Sequence, residues 1–367
     1  MKSFEAWKKL HDSGQLSEFN HADPTGILWL KIKSILRKEL FTNFLVSAGI
    51  TLPERNLQDQ FKAFYKMAVS DQQLCQNLDC FIHSESQKIL GEIDEQNLVS
   101  ELYQLQSFDW GGDYKNSLDK HLVSQYVKKI MSYNDLASKF ESEINFAVQG
   151  YVFSSWYNHW SSILIERLFW THPDVIPAIG QIKNVDFFLH DIPYDLKVTW
   201  LPEGYIKAKR KEKKWPQELA FLKQEAKKLD ISFNKSASES GIFYEIAEKM
   251  RDKNTEQSRE VLNLLRQQRQ QILNDAKQSP RELAKWLYEN QGEMRFSSEN
   301  RLFLILVDSV NYEQSWKLKR NIDHLKPVIN EYLDRFDKNN IQRLELSFQY
   351  KSKSYSALSD VVFVVKE

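Results

Sequence analysis

The chain has 367 residues, 42% hydrophobic and 27% charged, an ordinary globular composition with room for one large domain or two to three smaller ones. Lysine plus arginine and aspartate plus glutamate balance at 50 each, so the total charge does not mark a nucleic-acid binder, although local patches set such binding rather than the sum. Glycine (11) and proline (9) are scarce, which predicts few turns and long helices.

Cys75 and Cys80 have no neighbouring Cys or His pair to complete a zinc site. They are expected to be buried free thiols in a reducing compartment. The opening "MKSFEAWKKLHDSG" has no apolar signal-peptide core. The apolar stretch after it is interrupted by Lys31, Lys33, Arg37, Lys38 and Glu39, which argues against a membrane span and for an amphipathic helix. No membrane partner and a cytoplasmic location are the expectation. Residues 1–135 read as mostly helical, with Asp23 as a cap and Pro24 in the first turn of one helix.

A long aromatic-rich helix runs from about 137 to 170 and ends before Pro173 and Pro177. Strands are expected at about 183–190 and 192–200. Residues 205–278 turn helical and highly charged and hold the basic run "KAKRKEKK" (207–214). Ser279, Pro280 and Glu282 form a capping-box start for a further helix, with Gly292 past its end. The unbroken apolar run in "NRLFLILVDS" predicts a central strand covered on both faces. A helix (313–336) and two strands, "IQRLELSFQYK" and "ALSDVVFVVKE", complete the chain. The order predicts an α/β (α+β) fold: a mixed β-sheet flanked by helices. A large helical N-terminal domain (1–135) precedes a domain spanning 136–367, which contains the charged helical insertion 205–278.

The stretch "VDFFLHDIPYDLKV" (185–198) carries the chemistry. A two-residue turn at His190-Asp191 pairs 189 with 192, 188 with 193, 187 with 194 and 186 with 195. Alternation then gives one apolar face (Val185, Phe187, Leu189, Ile192, Tyr194, Leu196, Val198). The other carries Asp186, Phe188, Pro193, Asp195 and Lys197. Asp186 would stand across from Asp195 with Cβ atoms about 4.5–5.5 Å apart, a like-charge pair that destabilises a sheet unless a proton or a cation compensates. A hard divalent cation such as Mg²⁺ suits two carboxylates, and a lysine alongside suits phosphodiester hydrolysis.

These residues resemble the PD-(D/E)XK nuclease superfamily, to which most type II restriction endonucleases belong. In that superfamily an acid precedes a hairpin strand and (D/E)-x-K lies on the next, here Asp186 and then Asp195-Leu196-Lys197. No proline precedes Asp186, which departs from the motif's name. A Glu on the preceding helix often completes the metal site, and Glu166 in "SSILIERLF" matches it, with Glu143 the alternative. The resemblance covers about 155–200 and extends to 280–310. It implies a restriction-endonuclease-like core, catalytic Asp186, Asp195, Lys197 and Glu166, and Mg²⁺ (Mn²⁺ may substitute) on Asp186, Asp195 and Glu166. It also implies a double-stranded DNA substrate and a homodimer.

Lys207, Lys209, Arg210, Lys211, Lys213 and Lys214 follow the proposed active strand and are candidates for phosphate contact, against the plainer reading of a solvated helix face. The plain alternative for Asp186, Asp195 and Lys197 is a solvated hairpin face, against which Phe188 and Pro193 stand. Two further readings compete: a non-catalytic DNA-binding or scaffold subunit on a degenerate nuclease fold, and a metal-free two-carboxylate hydrolase.

Overall fold

The computed structural model describes residues 2–20, 22–108, 110, 117–182, 184–235, 239–290 and 299–367. Gly292 lies outside them. Among the described residues six strands form one mixed sheet: β1 (Val175–Ile182), β2 (Val185–Leu189), β3 (Ile192–Trp200), β4 (Arg301–Asp308), β5 (Glu345–Tyr350) and β6 (Lys353–Lys366). Their order is β1-β2-β3-β4-β6-β5, with β3, β4 and β6 parallel and the other neighbours antiparallel.

β4 is the central strand its apolar run predicts. Leu302, Leu304 and Leu306 face one side, where the helices Asn145–Trp170 and Ile322–Asp334 pack through Leu164, Leu168, Leu325 and Ile329. Phe303, Ile305 and Val307 face the other, against Ile272, Leu283 and Leu287 of the helices Glu256–Gln278 and Pro280–Asn290. Helices on both faces explain why no alternation is visible in this strand. The insertion folds into the helices Glu203–Glu212, Glu218–Lys228, Glu239–Lys253 and Glu256–Gln278; the last three share a cluster around Leu222, Ile246 and Leu265, while the first packs toward the sheet through Tyr205 and Ile206.

The N-terminal half is helical, and its aromatic core (Trp29, Phe61, Phe64) continues without a break into Ile179, Ile182 and Phe188 of β1 and β2. Gly180 permits this close approach, because a Cβ there would stand 1.7 Å from the Ser34 backbone oxygen. Lys31, whose charge breaks the apolar stretch in sequence, is a buried anchor. Its Nζ donates to Asp79 at 3.0 Å and to Asp191 at the hairpin tip at 2.7 Å. No helix among the described residues is long and apolar enough to cross a membrane.

Four local expectations change. β1 is a strand the sequence does not announce: Pro177 lies within it, tolerated because β1 is at the sheet edge. Val185, grouped with Phe187 by alternation, packs instead into the N-terminal cluster, beside the register shift of β1 between Pro177 and Ile182. The expected 313–336 helix divides into a 3₁₀ segment, Tyr312–Arg320, and the helix Ile322–Asp334. Cys80 is exposed and Cys75 half-buried, and both are free thiols.

Candidate active site at the parting of two strand ladders

The hairpin turn is the two-residue one expected, with His190 and Asp191 both left-handed (φ 46° and 63°), as a type I′ turn requires. Pairing runs Leu189↔Ile192, Phe188↔Pro193 and Phe187↔Tyr194. Strand β3 then changes partner and pairs in parallel with β4 from Asp195↔Arg301 onward. Asp186 and Asp195 sit where the two ladders part, so the expected 186–195 rung is not a backbone pair. Asp186 Oδ2 accepts from the Leu196 N–H at 2.7 Å, while the Asp195 N–H donates to Asn300 O at 3.0 Å. Asn300 also donates from Nδ2 to Pro193 O at 3.2 Å and accepts from Leu358 N–H at 2.9 Å, stitching three strands at the fork.

The Asp195 side chain is buried, at 4% exposure, and both its oxygens are engaged. Lys197 Nζ donates to Oδ1 at 2.7 Å and Arg301 Nε to Oδ2 at 3.3 Å. Arg301 in turn donates to Glu299 Oε2 at 3.1 Å, and Asn184 Nδ2 donates to Glu299 Oε1 at 2.7 Å. The Tyr288 ring lies 5.1 Å from the Arg301 guanidinium and its hydroxyl donates to Glu299 O at 2.7 Å. Glu299, Asn300 and Arg301 were not singled out in the sequence. Their only signal there is a polar triplet immediately before a long apolar strand.

Glu166, on the Asn145–Trp170 helix, belongs to the same electrostatic unit. Burial pushes its carboxyl up to about 8, and the charges of Asp186 and Asp195 add to the shift, with Lys197 opposing. Asp186 is raised to about 6 by burial and by Asp195, against the pull of the Leu196 N–H and Lys197. Burial also raises Glu299, with Arg301 drawing it down. Glu143, the alternative to Glu166, is instead ion-paired with Lys139. The four predicted site residues are therefore brought together on a face that is covered at Asp195, Phe188 and Pro193 and open at Lys197.

The donor chemistry fits a hard divalent cation: hard carboxylate oxygens whose mutual repulsion already favours added positive charge. As folded here, no group of three His, Cys, Asp or Glu side chains among the described residues is spaced to hold a metal. Lys197 and Arg301 occupy the Asp195 oxygens that a cation would need.

The basic run has a different fate. Arg210 is fully buried, donating to Pro216 O and Gln268 Oε1, both at 2.8 Å, which turns its charge inward. Lys209 pairs with Glu212 and Glu282, Lys213 with Asp275, and Lys207 stands 4.0 Å from Glu239. Lys211 and Lys214 are exposed. The helix thus uses half its charge to hold itself to its neighbours. Arg269, on the helix behind it, grips Glu218 and Glu313 and is likewise structural. Comparison with known proteins identifies no relative: no family model, no curated protein and no solved structure matches the chain.

Proposed function

We propose that the protein is a Mg²⁺-dependent endonuclease that hydrolyses phosphodiester bonds in double-stranded DNA, akin to type II restriction enzymes or related phage-defence nucleases. The reading is carried by one observation: Glu166, Asp186, Asp195 and Lys197 converge where the β2–β3 and β3–β4 ladders part, with Glu166 and Asp186 raised by burial and by the neighbouring carboxylate charge. The element order supports it. With the four helices of the insertion set aside, the Asn145–Trp170 helix, antiparallel β1 to β3, the Pro280–Asn290 helix and β4 parallel to β3 follow the succession expected of a restriction-endonuclease-like core.

Asp186 and Asp195 would hold the metal, with Glu166 in support; Mn²⁺ would substitute. The bound cation supplies a polarised phosphoryl oxygen and a water of lowered pKa. The chain's own groups do the rest. The Leu196 N–H fixes the Asp186 carboxylate. Arg301, braced by Glu299, fixes that of Asp195. Lys197, 46% exposed at the side chain, is free to swing from Asp195 toward a scissile phosphate, where its charge would offset the charge developing there. Lys211 and Lys214 are the members of the basic run best placed for phosphate contact.

The enzyme is proposed to act as a homodimer. Large apolar side chains exposed along one segment, Val127, Met131, Tyr133 and Phe146, support a protein-covered surface.

Incubation with supercoiled plasmid and Mg²⁺ tests the proposal. Wild type should nick or linearise it, EDTA should stop it, and Asp195→Ala and Lys197→Ala should each lower the rate by about 10²-fold or more. Unchanged cleavage in either folded variant would refute the assignment. No cleavage by wild type on any DNA form would favour the scaffold reading, which the closed Lys197–Asp195–Arg301 ion pairs support.

A further inference from the structure

Residues 117–153 stand out for how little they bury. The helical turns Leu118–Leu122, Val123–Val127 and Tyr133–Lys139 contain no buried residue. The segment is nonetheless rich in large apolar side chains. Val127, Met131, Tyr133, Phe140, Phe146 and Phe153 are each between 48% and 101% exposed. Their open surface equals about four whole side chains, on the order of 800 Å² when an aromatic side chain counts for ~150–250 Å². The largest apolar patch of a monomer is about 300–600 Å², and one side of a stable protein–protein interface is about 800 Å². The run 118–127 is also too short to persist alone, since isolated helices under about 12–15 residues are marginal in water. It meets the body through the His121 ring, 5.0 Å from Trp110, which lies 5.1 Å from Tyr151. Val123–Val127 and Phe140–Ile144 are both π-helical turns, a rare geometry frequent at functional positions.

The charges identify the partner. Residues 117–132 carry Lys120, Lys128 and Lys129 against Asp119, and residues 133–153 carry Asp135, Glu141 and Glu143 against Lys139. The segment is therefore neutral as a whole, which does not suit a nucleic-acid backbone or an anionic lipid surface. Its two halves are opposite in sign. Among the described residues only Lys139 and Glu143 of these eight form an ion pair within the protomer. In a two-fold contact, if residue i of one protomer meets j of the other, j also meets i. Setting the basic half of one protomer along the acidic half of its partner therefore satisfies both halves at once and covers the apolar side chains between them.

We infer that residues 117–153 form a self-complementary dimerisation arm whose occupant is a second copy of this chain, the basic half of each protomer lying along the acidic half of its partner. The inference rests on the homodimer named above, to which it gives a surface, and not on the phosphodiester chemistry. The arm runs into the Asn145–Trp170 helix, so the interface and Glu166 share one helix.

Analytical ultracentrifugation of the full chain without DNA, from micromolar to tens of micromolar, tests it. Wild type should sediment as a concentration-dependent dimer. Met131→Glu with Phe146→Glu, both at exposed positions, should weaken the dimer by about 30-fold or more while the chain stays folded by circular dichroism. Lys128→Glu with Lys129→Glu sets acids against acids, and Asp135→Lys with Glu141→Lys sets lysines against lysines. Each of these proteins alone should dimerise at least about tenfold more weakly than wild type. An equimolar mixture of the two should associate again, because both half-contacts are then of opposite sign. A wild type that is monomeric at every concentration overturns the inference and the homodimer together, gives the face to a different partner, and leaves the nuclease reading untouched. A dimer that survives Met131→Glu with Phe146→Glu, or a charge-swapped mixture that fails to associate, overturns the arm alone and places the homodimer's contact elsewhere.

Discussion

At the scale of single residues, the acidic cluster carries an unusual linkage. Carboxylates usually stabilise a fold by ionising more readily in it. Glu166 and Asp186 do the reverse: burial raises Glu166 to about 8, with Asp186 and Asp195 adding to it, and raises Asp186 to about 6, with Asp195 adding to it. A group whose folded pKa lies above its unfolded value contributes stability that is complete below the unfolded value, about 4, and lost as pH rises through the folded one. The metal-free protein should therefore lose stability between about pH 4 and pH 8. Glu166→Gln, which removes the ionisation, should melt higher than wild type at pH 8.5 and not at pH 4.5. A lower melting temperature for the variant at pH 8.5 would contradict this. The bracing residues make a second prediction. Arg301→Ala frees an Asp195 oxygen but strands the buried Glu299, so it should destabilise the fold by about 2–3 kcal/mol in urea. A neutral outcome would show that the Arg301 ion pairs contribute nothing net.

At the scale of elements, the hairpin was legible because its alternation is strict and its turn short. The register follows from the turn, and three of its four predicted rungs are present. The fourth was not legible, because the sequence of the hairpin cannot announce that β4 will capture β3 at Asp195. That event depends on a strand about a hundred residues away. For the same reason Glu299 and Arg301 stayed hidden: only the parallel register Asp195↔Arg301 makes them neighbours of the site. β1 was missed because proline usually argues against a strand, and edge position is a tertiary fact. The basic run misled in part because charge in sequence does not show direction, and Arg210 points inward. Two close contacts fix β1 and the hairpin to the N-terminal helices and can be tested. Gly180→Ala places a Cβ against the Ser34 carbonyl and should cost about 3 kcal/mol or more. Lys31→Ala strands Asp79, whose carboxyl burial already raises; because Asp191 is mostly exposed, the expected loss is about 1–3 kcal/mol. Chemical denaturation of each variant measures both.

At the scale of the whole molecule, the sheet brings an acidic cluster and an aromatic-lined cavity to one strand. β3 carries Asp195 and Lys197 at its middle and ends at Trp200, which lines the aromatic cavity. It is paired antiparallel with β2 on one edge and parallel with β4 on the other, which fixes the backbone that carries Asp195 and Lys197. The N-terminal helices hold the hairpin from outside through a continuous core, and the insertion encloses the pocket. The two-faced hairpin, the central strand and the helical flanks could be read from periodicity. The pocket could not, since its wall is assembled from Trp200, Arg210, Arg269 and Tyr312, which are scattered over more than a hundred residues.

The central claim is that the carboxylates at the strand fork form a divalent-cation site. Calorimetric titration of Mn²⁺ into the metal-free protein at pH 8 tests it most directly. Saturable binding that releases protons, because Glu166, raised to about 8, gives up the proton it still holds, and that is lost in Asp186→Asn, is the predicted result. Absence of binding at millimolar Mn²⁺, or binding that Asp186→Asn leaves intact, would contradict it.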